Sequence, residues 1–197
     1  MAIDNPIRVE CADLHRSGGI TQIYLRNFVQ GDEVTFDNNA GLHDITSMND
    51  GASGTLTWQM FDAKAETANL SITSSKENGT TAFECTLTWY VPTMNSARFH
   101  EIQELLDECA TALITDSNGV DYVVGMSEVF AVGGNNSGEI YRSQTPANLT
   151  SIEGGTGAAY QDENGVTLTL VAKQYELPRV YTGTITPNIS AGTATTS

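Results

Sequence analysis

Between Thr81 and Val91 apolar and polar side chains alternate in register: Phe83, Cys85, Leu87, Trp89 and Val91 fall on one side, Glu84, Thr86, Thr88 and Tyr90 on the other. Successive side chains of an extended chain point to opposite faces, so a period of two sustained this long demands a half-buried strand. Pro92 then ends the run, because proline has no amide proton for a sheet ladder. A strand with one apolar and one polar face is stable only in a sheet that covers one side and wets the other, the usual condition of antiparallel sheets.

The same texture recurs elsewhere. Ile20 to Val29 follows the turn signal Ser17-Gly18-Gly19 and reads as a first strand. Gly54 to Met60 alternates Leu56, Trp58 and Met60 against Thr55, Thr57 and Gln59. Thr67 to Ser75 alternates around Leu70 and Ile72, and these two runs are expected to pair with each other through Phe61 to Glu66. Val120 to Val132 is a further strand, with a bulge expected at Gly125 to return Glu128 to solvent. Gly165 to Tyr175 sets Val166, Leu168, Leu170 and Ala172 against Thr167, Thr169, Val171 and Lys173, and Tyr181 to Thr186 adds a last edge strand.

One segment has a different period. From Ser96 to about Ile114, Phe99, Ile102, Leu106, Cys109 and Leu113 recur at three-four spacing, widened by Leu105, and predict a helix packed through that stripe. Asn95 or Ser96 is placed to cap it, and Glu101, Glu104, Asp107 and Glu108 form its wet side. The fold class expected is mainly β with one flanking helix, an antiparallel sandwich or barrel. Residues 1–186 form one domain in this reading, with a long polar loop over 31–54 and a small, polar C-terminal tail over 187–197.

The residue types needed for chemistry are not grouped. His15, His43 and His100 have no His or Cys at ligand spacing, and Cys11, Cys85 and Cys109 form no CxxC, so no metal is expected and the thiols read as reduced small hydrophobes. Asp116-Ser117-Asn118-Gly119 starts like a calcium loop, but its glycine is misplaced and no Glu closes it; it reads as a turn. The glycine runs 133–138 and 154–157 lack the GK[ST] ending of a phosphate loop, and no G-x-S-x-G marks a nucleophile. Neither a cofactor nor an enzymatic activity is expected. Met1 to Pro6 has no basic-then-apolar secretory pattern, and no apolar run approaches the roughly 18 residues of a membrane span.

Charge narrows the partners. Asp and Glu outnumber Lys and Arg by 24 to 9, for a formal net charge of -15. A protein that grips nucleic acid needs a cationic footprint, so that class is excluded. Acid can instead keep a β protein soluble, guard strand edges, or line a channel that DNA passes without sticking.

Taken together, the β-rich core, the mid-chain helix Ser96 to Ile114, the polar early loop and the small polar tail resemble the tail tube family of bacteriophages, whose fold is shared with tube subunits of contractile injection systems. The resemblance implies hexameric rings that stack into a hollow conduit for phage DNA. Long strands of neighbouring subunits would pair into a continuous inner barrel with the helix outside. It further implies self-association, contacts with a sheath and with baseplate or terminator proteins, DNA passing without specific binding, no membrane, and a place in the virion tail after synthesis in the host cytoplasm. Leu42, Ile45 and Met48 would make the ring-to-ring contact, and Glu84 would be an acid facing the lumen. Two other readings stay open: another virion protein, such as a capsid decoration or tail-terminator subunit, and a carbohydrate-binding sandwich using Tyr24, Tyr90 or Tyr160.

Overall fold

A computed structural model describes residues 18–28, 33–36, 44–49, 58–61, 63–126, 139–140, 146–159 and 161–188. Along the chain the strands are β1 (Ile20–Asn27), β2 (Glu33–Phe36), β3 (Ile45–Asn49), β4 (Trp58–Phe61), β5 (Asn69–Glu77) and β6 (Thr80–Pro92). The helix α1 (Ser96–Asp107) follows, then β7 (Ala110–Asp116), β8 (Asp121–Val124), β9 (Glu139–Ile140), β10 (Asn148–Gly155), β11 (Gly165–Gln174), β12 (Arg179–Tyr181) and β13 (Pro187–Asn188). The fold is mainly β, as the alternation requires, and the described residues form one helix and two sheets, one curled into a half-barrel.

The larger sheet has the order β13-β4-β1-β7-β8-β12-β3-β2-β9, and the smaller has β10-β11-β6-β5. Every pairing in the smaller sheet is antiparallel, with β6 and β11 matched over ten residue pairs from Phe83↔Gln174 to Pro92↔Gly165. Between the two sheets lies the main core, in which Ile23, Leu25, Ala112 and Ile114 of the larger meet Cys85, Leu87, Trp89, Leu168 and Leu170 of the smaller. Phe61 meets Trp89 edge to face, with centroids 6.4 Å apart. A second cluster on the other face of the larger sheet gathers Tyr24, Ile45, Met48, Trp58, Leu113, Val123, Met126 and Tyr181. There Arg26, 7% exposed, lies 5.3 Å above the Trp58 ring.

The helix is shorter than its periodicity predicts. Asn95 caps it, its side chain accepting from the Arg98 amide at 2.9 Å, and Asp107 ends it; Glu108 is already extended. Cys109 and Leu113, expected on the helical stripe, lie beyond it, Leu113 inside strand β7. The reason is double burial. Ala110, Ala112 and Ile114 face the main core while Leu113 faces the second, so the run is apolar on both sides, and a short run of that kind matches either period. The remaining stripe is also rotated: Ile102 and Leu105 are buried, whereas Phe99 and Leu106 are 49% and 44% exposed. A three-turn helix that rests mainly on the β10 side of the sandwich buries one narrow face, so residues seven apart on its flank stay wet.

Pairing departs from expectation in one further place. β4 and β5 do not pair with each other; β4 joins β1 and β13 in the larger sheet, and β5 joins β6 in the smaller. The deciding signal is Asn78-Gly79, with φ of 50° and 84°, which closes β5 and β6 into a two-residue hairpin at Glu77↔Thr80. Two successive left-handed residues match the twist of a hairpin, and Asn-Gly is the pair that adopts them at least cost. Within the early loop, β2 and β3 form an antiparallel hairpin.

Candidate assembly surface

The smaller sheet shows one face to the core and the other to solvent. On the solvent face the cross-strand rows read Thr73-Glu84-Lys173, then Ser71-Thr86-Val171-Asn148, then Asn69-Thr88-Thr169-Ser151, then Tyr90-Thr167-Glu153. Hydroxyls dominate these rows because alternation gives the polar phase of each strand to water while Leu, Trp and Cys fill the other. Glu84, the predicted lumen acid, is on this exposed face as its phase requires, but it is not a bare charge: Lys173 lies directly across from it, with Nζ 3.6 Å from the carboxylate. Among the described residues Lys173 is the single cation on those rows, and the pair cancels it.

Tyr90 closes the face at one end. The Lys64 ammonium sits 5.5 Å over its ring and forms an ion pair with Glu163. That hydrogen bond and charge hold the Glu163 carboxyl below its ordinary range, with a smaller contribution from the Tyr90 hydroxyl, and raise Lys64 above its own. Beside it, Asp162 accepts from the amides of Ala158 and Ala159 at 2.7 and 2.8 Å, which lowers its carboxyl too. These contacts brace the connection between β10 and β11.

The two edges carry the most information. β5 is bonded on one side to β6, and β10 on one side to β11; among the described residues no strand ladder continues beyond either, although Ala147, just before β10, bridges to Ala110 of β7. Ile72 is in register with the fully buried Cys85, and Ile152 with the fully buried Leu168. Both isoleucines therefore point to the core side, yet they are 43% and 38% exposed, because among the described residues no further strand flanks them. Next to β5 the mouth between the sheets is an apolar groove of about 300 Å³, lined by Ile20, Leu70, Ile72, Ile114 and Tyr122, with Asp116 at its rim.

The other predicted site residues are distributed differently. Ile45 is fully buried and Met48 is 5% exposed, both on β3 in the second core cluster, so neither offers the free surface that a ring-to-ring contact needs; a register irregularity between Ile45 and Ser47 lets residues three apart both turn inward. Leu42 lies outside the described residues. Tyr24 is buried, 6% exposed, and so cannot stack on a sugar; Tyr90 is half-buried and Tyr160 lies outside the described residues. Burial pushes the Cys85 thiol up to about 11, keeping it protonated, while Cys109, expected as a small buried hydrophobe, is exposed with Sγ 3.3 Å from Asn148 Oδ1. Among the described residues no three His, Cys, Asp or Glu side chains cluster as metal ligands, and no helix is long and apolar enough to cross a membrane.

Comparison of the chain with protein-family models, with curated proteins and with solved structures finds no match.

Proposed function

We propose that the chain is a tail tube subunit whose rings stack into a conduit for phage DNA. The observation that carries this reading is the four-stranded sheet, with two edges that no strand extends among the described residues and a hydroxyl-rich outer face. Three antiparallel steps separate β10 from β5, so the two edges run in opposite directions. Laying β10 of one copy beside β5 of the next continues the sheet with the same antiparallel sense. This is a head-to-tail contact, which closes a ring when the rotation per subunit divides a full turn.

Dimensions agree with a conduit. Six subunits giving four strands each would make a barrel of 24 strands. At ~4.8 Å between strands and a tilt of about 40°, its wall would be roughly 45–50 Å across and ~35–40 Å clear inside the side chains, ample for a duplex. The inner wall would be mainly Thr, Ser and Asn, with Val171, Tyr90 and Glu153 among them and Lys173 neutralised by Glu84, a lining without a phosphate-binding row. The chain's surplus acid then works mainly elsewhere, as solubilising charge.

Negative-stain microscopy of the concentrated protein tests the reading. Rings or hollow tubes of uniform bore are expected. A monodisperse monomer across concentration, salt and pH would overturn it, and compact trimers without a bore would favour a capsid decoration role.

A further inference from the structure

Among the described residues, the two most exposed large apolar side chains are near neighbours: Tyr175, 50% exposed, and Leu177, 57%, both in the connection from β11 to β12. The bend that carries them is tied down. Gln174, 2% exposed, accepts from the Gly125 amide at 3.3 Å and donates to the Glu176 carbonyl at 2.8 Å, and Arg179 grips the Glu176 carboxylate at 2.6 Å. An apolar pair held in this way loses little freedom when it is covered, the condition that favours a docking anchor.

The opposite end of the same strand has the complementary shape. β11 runs ten residues from Gly165 to Gln174, so its ends lie roughly 30 Å apart. At the Gly165 end, the connection from β10 presents Gly157, Ala158 and Ala159, all exposed, with side chains no larger than a methyl. Asp162 fixes this shelf by accepting from the amides of Ala158 and Ala159 at 2.7 and 2.8 Å, and a β-carbon on Gly157 would collide with Asp162. One end is thus a rigid knob and the other a rigid, bare shelf. Within one chain β11 holds them apart, so only another copy can bring them together. The carboxylates Glu176 and Glu163 are already paired with Arg179 and Lys64, so the ends can meet without stranding either charge.

We propose that Tyr175 and Leu177 of one copy dock on the shelf at 157–159 of a second copy, end to end. Its role in stacking rings rests on the tube reading: strands tilted by about 40° put the knob at one rim of the barrel and the shelf at the other. The contact takes the place expected for Ile45 and Met48, which are buried. It uses different surfaces on the two copies, so it repeats along an axis without closing.

Two measurements on the full-length protein test the contact. Ala158→Cys/Leu177→Cys, with Cys11→Ser and Cys109→Ser, should oxidise to a ladder of linked subunits, since within one chain the two sulfurs are far beyond disulfide reach. Monomer alone would overturn the contact, and covalent dimers of Leu177→Cys in the same background would overturn its knob-on-shelf geometry. In negative stain, Tyr175→Ser/Leu177→Ser, which should melt with the parent, should need about ten-fold or more protein to give tubes, with single rings in their place. Tubes at the parent's concentration would overturn the proposal. A ladder from protein that never closes into rings keeps the contact and removes the tube reading. Parent tubes beside an unlinked double-cysteine variant keep the tube reading and remove the contact.

Discussion

At Gly125 an added side chain would meet both strain and backbone. Its φ is +88°, and a β-carbon there would sit 2.9 Å from the Ala110 carbonyl oxygen and 3.0 Å from the Ala147 amide nitrogen. Those two residues bridge β7 to the start of β10 by reciprocal backbone bonds of 2.8 and 2.9 Å. Gly125→Ala therefore combines backbone strain with a displaced bridge, and an equilibrium urea titration should show a loss of about 1–3 kcal/mol. A glycine between Val124 and Met126 was legible as a break in the alternation, but the close approach of two other strands was not. A subtler effect belongs to Asp162. Its carboxyl is held below the ordinary 3.8 by the Ala159 and Ala158 amides, so it binds its proton more weakly folded than unfolded. The sign follows: its contribution is full above the unfolded value and fades as pH falls through the folded one. Asp162→Asn should thus narrow its stability deficit against the parent as pH drops from about 5 to 2, measured by thermal melts across that range; a deficit independent of pH would contradict this.

At the scale of elements, α1 and β7 show what periodicity can and cannot tell. Phe99, Ile102, Leu106, Cys109 and Leu113 satisfy helical spacing, yet the last two leave the helix, and Phe99 and Leu106 point to water. Thr111, Ile114 and Thr115 favour a strand from position 110 onward, and burial on both faces overrides the longer helix. Alanine substitution should separate the two faces. Ile102→Ala should cost about 2–4 kcal/mol in chemical denaturation, while Phe99→Ala should cost under ~1 kcal/mol. The β5–β6 hairpin teaches the opposite lesson. Asn78-Gly79 stands between two alternating runs as a plain turn signal, and it outweighs the proximity of β4. Reversing the turn's preference with Asn78→Val/Gly79→Val, both β-branched at left-handed positions, should lower the melting temperature by several degrees.

For the whole molecule the question is how identical copies meet. Ile152 lies at the β10 edge, 38% exposed but turned to the core side, so Ile152→Asp should cost about 1–3 kcal/mol of unfolding free energy and still leave the chain folded. The same change would bury an unpaired carboxylate in a strand-to-strand contact, and rings should vanish from negative-stain images of an otherwise folded protein. Rings as abundant as in the parent would exclude β10 as an assembly edge. From the amino-acid order alone came the strands β1, β6 and β11, the presence of one helix, the mainly β class and the wet phase of Glu84, because period and turn chemistry are local properties. Tertiary structure decided the rest: which sheet claims β4 and β5, the burial of Ile45 and Met48, the Lys173 partner of Glu84, and the two edges at which the smaller sheet ends among the described residues. Each depends on neighbours distant in sequence, and a side chain's exposure is settled only when the strand beside it is present or missing.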